Sequence, residues 1–184
     1  MPLLDSKQAT EAAVKNDGII PDVLDAFEFK TMLAVSYGNN KEVALGNRLS
    51  VGETQHPPQV SFEADSPNDK YTLIMTDPDA PSRQNHRMRE YRHWIVSNIS
   101  GTSDFQPASV AQGTEVTPYM GPAPPSGSGP HRYIFLLYKQ TPSSDVATLS
   151  RPLTTERPKF KTMQFTSHAG LELVGVNYFV AENP

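Results

Sequence analysis

Apolar and polar positions alternate along much of this chain. Over residues 29–37 the side chains of Phe29, Thr31, Leu33, Val35 and Tyr37 fall on one face, the pattern of a strand with one buried side. Gly38, Asn39 and Asn40 then supply a turn. Further strands are predicted over residues 42–45, 59–62, 71–76, 93–99, 134–139 and 174–180, with Pro- and Gly-rich connections between them. The run 132–138 is almost continuously apolar and is entered through Pro130 and His131, whereas 71–75 is stopped by Asp77 and Pro78. A helix is predicted from Asp5, which has Gln8 three residues on as a capping partner; Ala9, Ala12 and Ala13 favour it, and Gly18 and Pro21 end it. A second helix is predicted over 158–169, closed by Gly170, although Thr162, Phe165 and Thr166 are weak helix formers.

The many short strands and 17 prolines point to a mainly β fold with peripheral helices. Residues 102–129 form the least regular stretch, with Pro107, Pro118, Pro122, Pro124 and Pro125 beside four glycines at 113, 121, 127 and 129. Each proline ring fixes its own φ and restricts the residue before it, so this loop is expected to be stiff.

At 184 residues, 37% hydrophobic and 20% charged, the chain suits one domain able to bury its own core. Residues 1–18 are a helical segment expected to be separable from it. A net charge of −4 with scattered Lys and Arg provides no basic stripe for a nucleic-acid backbone. No apolar run approaches the roughly 20 residues of a membrane-spanning helix, and the N-terminus lacks the pattern of a secretory signal. Absence of cysteine removes thiol chemistry and suits a cytoplasmic protein.

Chemistry collects where strands meet loops. Asp77 and Asp79 flank Pro78 and precede Pro81, which by itself describes an Asp and Pro turn. His93 lies in an apolar run and, by alternation, shares a face with Ile95 and Ser97. His131 and Tyr133 stand at the mouth of the most hydrophobic strand. Ser126 and Ser128 have no evident activating partner, and there is no GxSxG elbow, P-loop or catalytic cysteine, so nothing demands an enzyme. Metal ligation by Asp77, Asp79, His93 and His131 is weaker still, because the histidines lack the spacing of a dedicated site, and no cofactor is expected.

The segments DPDAPSR from Asp77, REYRHWIVSNI from Arg89 and GPAPPSGSGPHRYIFLLYKQ from Gly121 resemble the signature regions of the phosphatidylethanolamine-binding protein family. That family includes Raf kinase inhibitor protein, plant flowering regulators and the yeast carboxypeptidase Y inhibitor. The resemblance implies a two-sheet antiparallel β-sandwich with a few helices, a shallow anion pocket at one end and a cis bond between Ala80 and Pro81. Carried over by position, it assigns ligand-binding roles to Asp77, Asp79, Pro81, His93, Pro124, His131 and Tyr133. Histidine and phenol groups would donate to the anion, and each aspartate would accept from one ring nitrogen of a histidine. Ala123 stands where the family pattern GPGPP has glycine, and Pro130 replaces an aliphatic residue; these departures are more like the plant and fungal branches than the animal one. The expected function is a regulatory binding protein for a phosphate-type group, on a phospholipid headgroup or on a partner such as a kinase. Inhibition of a serine carboxypeptidase is the alternative, and a biosynthetic enzyme using the His/Asp pocket ranks below it.

Overall fold

The computed structural model describes residues 3–184. In chain order it contains α1 (Leu3–Asn16), α2 (Ile19–Asp22), β1 (Ala34–Tyr37), β2 (Lys41–Glu42), β3 (Asn47–Arg48), β4 (Gln59–Ser61), β5 (Lys70–Asp77), β6 (Tyr91–Ser100), β7 (Thr114–Thr117), β8 (His131–Gln140), α3 (Val146–Leu149), α4 (Thr162–His168) and β9 (Leu171–Ala181). Two sheets result, a small one in the order β2-β1-β4 and a large one in the order β3-β9-β8-β5-β6-β7. Pairing is antiparallel except between β3 and β9.

The sandwich core lies between the sheets, where Leu33, Val35, Val60 and Phe62 meet Leu73, Met75, Phe135, Leu137 and Phe179. The large sheet buries its other face as well. There Ile74, Ile95, Ile134, Leu136 and Val176 are covered by Val14, Ile19, Val23 and Leu24 of the N-terminal segment and by Phe160 and Phe165. A strand buried on both faces gains from apolar residues at every position, which is why β8 reads as a continuous hydrophobic run.

The strand predicted from Phe29 forms only from Ala34; before it, the amides of Lys30 and Thr31 both donate to the Val174 carbonyl. The segment 42–45 is cut short at Glu42, and Leu45 turns with a φ of 44°. β7 lies inside the stretch read as irregular, since four residues are too few to show alternation. α1 already runs at Leu3, placing Asp5 in its first turn rather than at its cap, where a carboxylate still complements the helix dipole. Residues Met1 and Pro2 of the N-terminal segment lie outside the described residues. Gly18 ends α1 with a φ of 71°, a left-handed conformation that costs glycine little. The second predicted helix forms as α4, without its expected first turn; Lys159 there has a φ of 61°.

Candidate functional site

Sheet order creates the site. β8, β5 and β6 are adjacent, and because β5 runs antiparallel to both neighbours, its last residue, Asp77, ends beside the first residues of β6 and β8, Tyr91 and His131. A cavity of about 160 Å³ opens there, lined by Asp77, Ala80, Pro81, Met88, Tyr91, His93, Met120, Ala123, Pro125, His131 and Tyr133. His131 and Tyr133 are two apart on β8 and point into the sandwich, whereas Arg132 points the other way.

His131 is 1% exposed and its Nδ1 lies 2.8 Å from Asp77 Oδ2. A carboxylate can only accept, so Nδ1 carries a proton and donates. Nε2 lies 2.9 Å from the Ser128 hydroxyl. When the ring is neutral, Nε2 accepts from Ser128; when it is protonated, Nε2 donates to Ser128 Oγ and the hydroxyl proton is free to turn elsewhere. Ser128 therefore has a histidine partner, contrary to the expectation from sequence. Turn geometry produces it, because Gly127 and Gly129 take φ of 71° and 80° and fold the serine back onto the residue three positions later.

His93 is placed by a β-bulge. Met75 faces Trp94 and Thr76 faces Arg92, so His93 is the extra residue between them. Strict alternation, which put His93 with Ile95, fails at this point: the ring packs at 5.3 Å, edge-on, against Tyr133, and Ile95 belongs to the helix-covered face. Its Nδ1 lies 2.7 Å from the Met120 carbonyl and donates to it, leaving Nε2 without a partner among the described residues. Burial pushes the imidazole pKa below its ordinary value, against the pull of the Asp77 charge. Tyr133 is driven upward, by burial first and then by the Asp77 and Asp79 charges, so its hydroxyl stays a proton donor.

Asp79 does not join a histidine. It is fully buried, and Arg132 grips it through its amide and Nε, both 2.9 Å from Oδ2, and through Nη2, 2.7 Å from Oδ1. Arg132 also donates to the Asp22 carboxylate and the Asp17 carbonyl, both at 2.7 Å, and Tyr178 bonds the Asp17 carboxylate. Burial alone would raise the Asp79 pKa, but the hydrogen bonds and charge of Arg132 outweigh it and hold it low. The expected histidine–aspartate pairing thus holds for Asp77 and fails for Asp79, because Arg132 supplies a permanent charge that an imidazole cannot match.

Pro81 lines the cavity after a cis bond from Ala80, as the resemblance implied. Pro124 is buried beside the cavity rather than in its wall, which Ala123 and Pro125 form. The loop carrying them is held at Gly121, where a Cβ would meet the Thr54 carbonyl at 2.9 Å, and by Gln55, which donates to the Pro122 carbonyl. Met88, Met120 and Tyr91 were not foreseen as wall residues. The methionines come from loops with no periodic signal; Tyr91, two residues before His93, was accessible by alternation.

The sequence and the fold both have known relatives. The chain is 32% identical to the carboxypeptidase Y inhibitor of Saccharomyces cerevisiae, over 97% of each chain. It is 37% identical to protein MOTHER of FT and TFL1 homolog 2 of Oryza sativa subsp. japonica, over 84% of this chain and 83% of that one. The crystal structure of carboxypeptidase Y inhibitor complexed with its cognate proteinase superposes with a TM-score of 0.87 at 32% identity, covering 99% of this chain and 98% of that one. Residues 27–179 match the family model described as phosphatidylethanolamine-binding protein, and the chain belongs to that family.

Proposed function

We propose that this chain is a regulatory binding protein whose cavity accepts a phosphate-type anionic group when its histidines are protonated. The convergence of His93 and His131 with the Tyr133 hydroxyl carries the reading. Among the described residues no arginine or lysine lines the cavity, so positive charge there comes only from imidazole. Protonation converts His93 Nε2 from acceptor to donor, while Tyr133 donates in either state. Asp77 would repel an anion, yet its carboxylate is engaged by His131 Nδ1 at 2.8 Å and fixes the orientation of that ring. The cavity's size suits a headgroup or a phosphorylated side chain rather than an acyl chain. Titration by calorimetry with phosphate, phosphoethanolamine and a phosphoserine peptide tests the reading. Saturable binding that is weakened at least tenfold by His93→Asn is expected; binding insensitive to that change would contradict the site, and preference among the three identifies the source of the group.

A second reading, inhibition of a serine carboxypeptidase, is favoured by the match to the yeast inhibitor over almost the whole chain, α1 included. Here the N-terminal segment would act as a part separable from the domain. Stoichiometric loss of carboxypeptidase Y activity on adding the chain is the expected result, and undiminished activity at excess chain would contradict it.

A further inference from the structure

We propose that Ser128 is a nucleophile, activated by His131 and Asp77, that gives this chain acyl-transfer reactivity toward small carboxylic esters. The three side chains form one continuous hydrogen-bonded line: Ser128 Oγ to His131 Nε2 at 2.9 Å, and His131 Nδ1 to Asp77 Oδ2 at 2.8 Å. Both contacts fall within the reach that nucleophile, base and orienting group require, roughly 2.6–3.2 Å. The roles are fixed by chemistry. Asp77, buried and able only to accept, holds the proton on Nδ1, so the neutral ring turns its lone pair on the serine hydroxyl.

The surroundings of Ser128 suit attack on a carbonyl. It is half-buried between Gly127 and Gly129, where an added Cβ would meet nothing within 4 Å, so a substrate has open space on the outer side. The turn is nevertheless pinned: the Ser128 amide donates to the Pro125 carbonyl at 3.0 Å and the Gly127 amide to the Asn183 carbonyl at 2.9 Å. The next amide, that of Gly129, has no acceptor among the described residues and is free to donate to an oxyanion. The neighbouring cavity offers Ala80, Pro81, Met88 and Pro125 to a short acyl group. Ser126, two residues away, donates instead to the Pro184 carbonyl and has no histidine.

In the reaction, Oγ forms a bond to the ester carbonyl as its proton passes to His131 Nε2. The tetrahedral intermediate then collapses, the carbon–oxygen bond to the leaving alcohol breaks, and that oxygen takes the proton from Nε2. Water, deprotonated in turn by Nε2, attacks the acyl-serine; the acid departs and Ser128 recovers its proton. Every step uses only ester, water and this line of groups.

The inference concerns a further activity and does not depend on anion affinity. Its test is labelling of the full chain with diisopropyl fluorophosphate, in which Oγ forms a bond to phosphorus as fluoride leaves and the hydroxyl proton goes through His131 to solvent. Intact mass and peptide mapping are expected to show one adduct, on Ser128, with p-nitrophenyl acetate hydrolysis abolished by the same treatment. Ser128→Ala should remove adduct and hydrolysis while keeping the melting temperature, Ser126→Ala should keep both activities, and His131→Asn should slow labelling at least a hundredfold. No adduct on the folded wild type, or an adduct elsewhere that survives Ser128→Ala, would overturn the proposal. A chain that binds phosphate but takes no label refutes the nucleophile alone; a labelled chain that binds no anion refutes the anion reading alone.

Discussion

Asp77 and Asp79 are two residues apart in one short motif, yet they serve opposite ends of the molecule's behaviour. Asp77 faces the cavity and is bonded to a titratable histidine; Asp79 faces away from it and is bonded to an arginine that never loses its charge. The Asp79 side is a brace, joining the β5–β6 connection to β8 and, through Asp17 and Asp22, to the N-terminal segment. The Asp77 side is adjustable, because one proton changes which atoms donate. The choice of partner, more than the carboxylate itself, separates support from function.

Breaking the brace should have the largest effect. Arg132→Ala leaves the buried Asp79 carboxylate with only the more distant Arg89, 3.7 Å away, and removing one partner of a buried ion pair costs about 3–5 kcal/mol. At 2–4 °C per kcal/mol for a domain of this size, thermal unfolding should fall by roughly 10 °C. Limited proteolysis of the same variant should cut near residue 18 first, since Asp17 and Asp22 lose their shared partner.

Acid should sharpen the contrast. The folded pKa of Asp79 is depressed, so its contribution to stability is present above the unfolded value, near 4, and is lost as pH falls through the folded one. His93 acts in the same direction by another route: its folded pKa is lowered, so the unfolded state binds the extra proton and stability falls as pH drops below about 6.5. Melting temperatures measured from pH 8 to pH 3 should therefore decline in two stages, and His93→Asn should remove the upper one only.

On the adjustable side, Asp77→Asn should cost less, about 1.5–3 kcal/mol for a hydrogen bond to a charged group. It should weaken anion binding severalfold, because the His131 ring loses the carboxylate that orients it; denaturant unfolding and calorimetry on one preparation give both quantities. The smallest change is expected from Ala123→Gly. Ala123 is exposed in the cavity wall and lies outside the positive-φ positions, so nothing in the backbone requires glycine. Stability should shift by less than about 1 kcal/mol, with affinity within threefold.

The same contrast shows what could be read from the sequence. β5 and β8 were legible because burial on both faces makes nearly every residue apolar, and the sandwich followed once the motifs were placed. Strands of two to four residues, such as β3 and β7, carry too few positions to show a period. The cavity roles of both histidines, Asp77, Pro81 and Tyr133 were legible through the family resemblance of their motifs, with their place where strands meet loops in support. The face of His93 was hidden by a bulge, which depends on pairing with a partner strand. The partner of Asp79 left a usable signal: with His131 and Tyr133 facing the cavity, alternation turns Arg132 to the far side, where a buried arginine needs an acid. Ser128's bond to His131 had no comparable signal, since it depends on two left-handed glycines rather than on residue type.

The central claim is that the cavity binds anions by taking up protons. Calorimetric titration with phosphate in buffers of different ionisation enthalpy, repeated between pH 5.5 and pH 8, measures this directly. Affinity should fall as pH rises, with net proton uptake on binding that is reduced in His93→Asn. Constant affinity across that range, with no proton exchanged, would contradict the account.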